Sequence, residues 1–197
     1  PRRCPLKEDI AMFGAVSIAL YLNWYAYLIW KRKRTPQNPA TWFMWLVLDT
    51  LLIATTALAG KPIWLPLAYL VGCLPNTGVN LIRGEWKWTM KSETLSFVVA
   101  AIATYVWLTN GADWGVIAGA IAMCTAGIPL YLDQVKEPDR KSFPIWAMTA
   151  CACICTLIGS DGTLTGMALA GGSLLYNGSL ALVVLPGRQV CRLGVPY

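Results

Sequence analysis

Residues 10–34 read IAMFGAVSIALYLNWYAYLIWKRKR, and this stretch decides the class of fold. From position 10 to position 30 there is no charged side chain. About 20 apolar residues in a helix, at 1.5 Å each, match the hydrocarbon thickness of a bilayer. Trp24, Tyr25, Tyr27 and Trp30 gather toward the end of the run, and Lys31-Arg32-Lys33-Arg34 stops it. Aromatic rings at the headgroup level followed by a basic cluster are how a spanning helix ends on its cytoplasmic side. Thr35-Pro36-Gln37-Asn38-Pro39 then breaks the helix.

The same pattern recurs to the end of the chain. Apolar runs occupy 41–59, 63–82, 94–108, 114–132, 143–158 and 163–185, which predicts seven spans. Tight turns follow the second span (Gly60-Lys61-Pro62), the fourth (Asn110-Gly111-Ala112-Asp113) and the sixth (Gly159-Ser160-Asp161-Gly162). Polar segments at 83–93 and 133–142 separate the others; Trp86 and Trp88 suit a loop at the headgroup level. Of the 197 residues, 56% are hydrophobic and 13% charged. A soluble domain has about 25% charged residues. Lipid is therefore the expected solvent.

The net charge of +6 does not point to nucleic acid, because the basic residues sit in short loops. Loops after spans one, three and five and the end of the chain hold Lys31, Arg32, Lys33, Arg34, Arg83, Lys87, Lys91, Lys136, Arg140, Lys141, Arg188 and Arg192. The other side holds Arg2, Arg3, Lys7 and Lys61. Twelve against four places the first side in the cytoplasm and, with seven spans, the N-terminus outside. The basic 31–34 cluster also suits anionic lipid. No cleavable signal peptide is visible, and because the sequence begins at Pro1, a few native residues are expected to be missing or replaced.

Histidine is absent, and Cys4, Cys73, Cys124, Cys151, Cys153, Cys155 and Cys191 lack zinc spacing. Most fall in apolar runs, where cysteine behaves as a small hydrophobe. Neither a metal, a cofactor nor an enzymatic activity is expected. Span seven carries no lysine for retinal, which argues against a light-driven pump.

The chain contains a partial copy of itself. Pro39-Ala40-Thr41-Trp42-Phe43-Met44 opens span two after a charged loop, and Pro144-Ile145-Trp146-Ala147-Met148 opens span six after another. Both helices leave through short glycine turns, at Gly60 and Gly159. The helices that follow carry Gly72-Cys73-Leu74-Pro75-Asn76 and Gly172-Ser173-Leu174-Leu175-Tyr176-Asn177. The order reads as a three-helix repeat at 10–82, a loop and linker helix at 83–109, a second three-helix repeat at 113–186, and a cytoplasmic tail at 187–197. The expected fold is thus an all-α membrane protein with seven transmembrane helices, two parallel three-helix bundles joined by a linker.

Several polar or aromatic side chains inside the spans are candidates for a binding site. A buried amide needs a partner, so Asn76 and Asn177 either glue helices together or meet a polar solute in a shared cavity. Asp49 is the carboxylate deep in a span, where a charge costs roughly 2.5 kcal/mol or more. It reads as a substrate acceptor, a proton-coupling group or a structural hydrogen bond. Trp42 and Trp146 fit interfacial anchors, whereas Trp45 and Thr149 lie one turn deeper and fit a cavity wall. Cys151 and Cys155 share a helix face and, with the glycines of span seven, suit close packing.

With these residues in place, the chain resembles the SWEET and PQ-loop superfamily of small transporters. The resemblance implies two triple-helix bundles, an inverting linker and alternating access. It also implies that Asn76 and Asn177 face a central substrate cavity, and that prolines within the spans, Pro75 and Pro129, act as hinges. Pro129 is followed by Leu130 where that family has glutamine, and span one has no proline. The expected function is a facilitator or secondary carrier of a small neutral polar solute, with a sugar first. Alternatives are a vitamin or nucleoside carrier like those for nicotinamide riboside, and a non-transporting receptor or assembly protein. The expected partners are a small-molecule substrate and the lipid bilayer, with a homo-oligomer left open.

Overall fold

The computed structural model of the protein describes residues 5–33, 37–85 and 92–186. The described residues form eight α-helices and one 3-10 turn: α1 (Pro5–Trp30), α2 (Pro39–Leu58), α3 (Trp64–Arg83), α4 (Ser92–Asn110), α5 (Ala112–Ala126), α6 (Ile128–Lys136), the turn Arg140–Ser142, α7 (Phe143–Ile158) and α8 (Leu164–Val183). Arg34, Trp86, Lys87, Trp88, Lys91 and the proposed tail at 187–197 lie outside the described residues, as do residues 1–4 with Arg2, Arg3 and Cys4. Six helical segments are long and apolar enough to cross a membrane, α5 and α6 counting as one from Ala112 to Lys136. The protein is an integral, multi-pass helical membrane protein. Where the sequence predicts a fourth full span, the apolar helix Thr94–Asn110 is shorter than the rest.

Local chemistry sets the helix ends. Asn38 caps α2, its side chain accepting from the Ala40 amide, and Pro39 occupies the first turn, where a missing N–H costs nothing. Gly60 ends α2 with φ +66°, the left-handed conformation a Schellman cap requires, and the Lys61 amide reaches back to the Thr56 carbonyl (3.0 Å). Thr163 caps α8 by accepting from the Gly166 amide.

Two prolines interrupt the hydrogen-bond ladder, with different results. Pro75 lies inside α3, which continues through it. The carbonyl it leaves free, that of Val71, accepts instead from the Asn23 side chain on α1 (3.4 Å). Pro129 stands just past the Gly127 break between α5 and α6. Its orphaned carbonyl, on Thr125, accepts from the Ser96 hydroxyl on α4 (3.4 Å). A neighbouring helix thus satisfies each freed group, as the bilayer core demands.

Six segments close into a ring. α3 packs between α1 and α2, α8 packs between α5 and α7, and the ring closes through α1 against α7 and α2 against α5. α4 lies outside it, against α5 and α2. Association in lipid depends on close packing rather than on the hydrophobic effect, so small residues mark the seams. At the α1–α7 seam, a Cβ on Gly14 would stand 2.6 Å from the Ala152 carbonyl oxygen. At the α2–α5 seam, a Cβ on Gly119 would stand 2.7 Å from Leu52.

Candidate functional site

The ring encloses two cavities, each lined by all six of its members. The central one has about 40 Å³ available to the centre of a water molecule, enough for about three ordered waters. Its wall is Leu22 from α1, Trp42 and Trp45 from α2, Tyr69 and Cys73 from α3, Met123 and Cys124 from α5, Trp146 from α7, and Ser173, Tyr176 and Asn177 from α8. No charged side chain lies on that wall. A second cavity of about 50 Å³ sits toward the short turns, with Thr56, Leu65, Val116, Thr156, Leu169 and Ala170 in its wall and Lys61 and Asp161 at its mouth.

Five aromatic rings dominate the central wall, and their polar edges are turned to the protein. Trp45 Nε1 donates to the Met123 carbonyl (3.1 Å). The Tyr176 hydroxyl donates to the Gly127 carbonyl (2.8 Å). Trp42 Nε1 donates to Gln37 Oε1 (2.9 Å) and Trp146 Nε1 to Ser142 Oγ (3.0 Å). Trp42 and Trp146, expected as interfacial anchors, are in fact buried on the cavity wall. Because each N–H finds a partner at its own helix start, the ring has no need of headgroup water.

Between the two tryptophans sits Tyr25 of α1, with ring centroids 6.3 Å from Trp42 and 6.2 Å from Trp146. The three rings form an aromatic floor beneath the cavity. At the other end the Tyr69 hydroxyl meets Cys153 Sγ at 3.3 Å and accepts a long bond from Asn177 Nδ2 (3.5 Å). These contacts join α3 to α7 and α8 across the ring axis.

Of the residues singled out in the sequence, Trp45 and Asn177 line the central cavity. Asn76, Asp49 and Thr149 are fully buried and stand outside its wall. Asn76 spends its amide donors on the carbonyls of Leu22 and Gly72 (both 2.8 Å), so it fastens α3 to α1. Thr149 donates to the Ile145 carbonyl one turn back (2.8 Å). Asp49 lies behind Cys73, whose thiol is beside the carboxyl without the geometry of a full hydrogen bond. Sequence reasoning passed over Tyr69, Tyr176 and Ser173. The signal for two of them was available: Ser173 and Asn177 share a helix face at i, i+4, as do Tyr69 and Cys73.

Above the second cavity the two short turns are tied together. Lys61 Nζ pairs with Asp161 Oδ2 at 2.6 Å and also donates to Thr163 Oγ1 (3.0 Å). Partial burial pushes the Asp161 carboxyl up, but the Lys61 ammonium and the Thr163 hydroxyl and amide outweigh it and hold the carboxyl at about 2. A lowered folded-state value stabilises the protein above the ordinary carboxyl range and is lost as pH falls through that range toward 2. Asp161→Asn should therefore lower the thermal midpoint slightly at pH 7, by the equivalent of under about 1 kcal/mol for so exposed a pair. The gap between the two proteins should close below about pH 3. A gap that stays constant down to pH 2 would show that the ion pair contributes nothing. No family model matches the chain, and no curated protein or solved structure matches it.

Proposed function

We propose that the protein is a carrier for a small neutral polar solute, which it holds in the central cavity and passes by alternating access. The observation that carries this reading is the central, aromatic-walled cavity in the core of a membrane protein, to which six helical segments each contribute. In this reading the chain crosses the bilayer seven times, with α4 as the linker, the N-terminus outside, and α1–α3 and α5–α8 as two repeats. Support comes from the ring itself. Exchanging α1 with α5, α2 with α7 and α3 with α8 maps every packing pair within the ring onto another, with α4 left on one side. The exchange also carries Trp42 onto Trp146 and Asn76 onto Asn177. The similarity to SWEET and PQ-loop carriers rests on that order and on those residues.

Movement would take the form of rocking at the two seams, α1–α7 and α2–α5. The Lys61–Asp161 pair closes the outer end, and the Trp42–Tyr25–Trp146 floor closes the inner end. A sugar needs more room than the few waters the cavity now admits, so it enters as the seams open; the flat rings would then stack on its apolar face, with the Asn177 amide and the Ser173 hydroxyl as its polar partners. The number of aromatic rings on the wall favours a nucleoside or a nucleoside-like vitamin as the second reading.

A thermal-shift screen of the purified protein against sugars, nucleosides and vitamins tests this. A solute at 100 times its Kd adds about 2.7 kcal/mol to stability. Asn177→Ala should weaken that solute about 10- to 100-fold, the worth of one buried hydrogen bond. If no solute in the panel stabilises the protein, a receptor or assembly role is favoured. If stabilisation survives Asn177→Ala unchanged, the solute does not sit in this cavity.

A further inference from the structure

The carboxyl of Asp49 is fully buried in α2, and neither of its oxygens has a hydrogen-bond partner. Packed against α2 are α3, α5 and α4. From α3, Cys73 and Tyr69 face the carboxyl. The titratable side chains described on α5 and α4 are Asp113 in the first turn of α5, Cys124 on the cavity wall, and the exposed Tyr105. None of these acts on Asp49. The one lysine or arginine on α2, α3, α4 or α5 is Arg83 in the last turn of α3, ten residues beyond Cys73. A bare carboxylate at this depth is expensive, and among the described residues no cation acts on it.

Along α2 it lies between the two cavities and on the wall of neither. Cys73, beside the carboxyl, lines the central one. Thr56, seven residues along the same face of α2, lines the outer one, about 10 Å away. The Thr56 hydroxyl is also buried and unpaired. The acid has no equivalent in the other half: the spacing of 104 that carries Trp42 to Trp146 carries Asp49 to Cys153, which is equally buried. Packing at this register is therefore met by a thiol, and packing does not account for the acid.

We propose that Asp49 is the coupling site of the carrier, taking up one proton for each solute moved. When the cavity is open to one side, the carboxylate takes a proton from water and becomes the neutral acid. When the other side opens, the O–H bond breaks and the proton returns to water there. No other bond changes. This deepens the carrier reading and rests on it.

Two measurements on the full chain in liposomes test the site. The first is an infrared difference spectrum between acid and alkaline pH, with and without sodium. A carboxylic-acid C=O band that titrates in the parent protein should be absent from Asp49→Asn and shifted in Asp49→Glu. If no such band is lost in Asp49→Asn, or if the band responds to sodium rather than to pH, proton binding is overturned. The second measurement is uptake of radiolabelled D-glucose, uridine and nicotinamide riboside with and without a pH gradient. One proton per solute makes a gradient of one pH unit worth about tenfold accumulation. The ratio of uptake with the gradient to uptake without it should fall to one in Asp49→Asn and partly recover in Asp49→Glu. Uptake that ignores the gradient in the parent protein, or still follows it in Asp49→Asn, overturns the coupling and leaves the carrier standing. If none of the three probes enters, the carrier reading fails and takes the coupling with it.

Discussion

Replacing Gly14 with valine is expected to lower the thermal midpoint by about 5–10 °C, corresponding to some 2–3 kcal/mol. At this position α1 crosses α7 with nothing between the two backbones. A new Cβ would stand 2.6 Å from the Ala152 carbonyl oxygen, 3.0 Å from Cys155 Cβ and 3.1 Å from Thr156 Oγ1. The first of these is backbone in the middle of a helix and cannot yield by a rotamer change. α1 must therefore move outward, and its seam with α7 opens along with it. Gly171 and Gly178 on α8 supply the control, since a Cβ on either meets nothing within 4 Å. Gly178→Ala should be neutral or should raise the midpoint slightly, because alanine is the better helix former by up to about 1 kcal/mol. Melting of the detergent-solubilised proteins, followed by size-exclusion recovery, makes the comparison. If Gly14→Val melts with the parent, the α1–α7 seam is not where the ring closes.

Tyr25→Ala is expected to cost about 3–5 kcal/mol, as for other large buried aromatic side chains. It should also open the cavity from below. The Tyr25 ring is 1% exposed and touches Trp42 and Trp146. Each aromatic pair is worth about 0.5–1.5 kcal/mol beyond area burial. Losing two of them shifts an opening equilibrium by about tenfold or more. Cys73 is the reporter, being 2% exposed and on the cavity wall. Its labelling by a water-soluble maleimide, followed by peptide mass spectrometry, should accelerate by that factor. Tyr27→Ala, one helix face away and 46% exposed, should leave both stability and labelling within error, as surface changes do. Equal labelling of Cys73 in the parent and in Tyr25→Ala would show that the three rings close nothing.

These two sites lie at different distances from what the sequence displays. Tyr25 and Gly14 are both plainly inside the first apolar run, and nothing local distinguishes them from Tyr27 or Gly78. Trp42 and Trp146 were visible as a pair, but interfacial chemistry was the more familiar explanation for a tryptophan near a helix start. Local acceptors decided otherwise: Gln37 and Ser142 take their N–H groups, so the rings face inward. The asparagines formed a pair in sequence and parted in space. Asn177 reaches the cavity, whereas Asn76 turns to the Leu22 carbonyl on α1. Each amide bonds the carbonyl one turn back, and its second partner decides the rest: the Leu22 carbonyl on α1 for Asn76, the Tyr69 hydroxyl across the ring for Asn177.

The sequence by itself determined that the chain is a helical membrane protein, and it set most helix limits to within a few residues, the exception being the fifth apolar run, which breaks at Gly127 into α5 and α6. Those properties depend on uninterrupted apolar length and on proline and glycine at the breaks, which are local along the chain. It also displayed the acid at position 49. Only the tertiary structure decided which helices touch, that six segments enclose two cavities, and that Asp49 stands behind Cys73 between them. In lipid every helix is apolar on all sides, so hydrophobicity cannot say which face turns inward. Close approaches of small residues and the few available hydrogen-bond partners decide it, and both exist only once the helices have met.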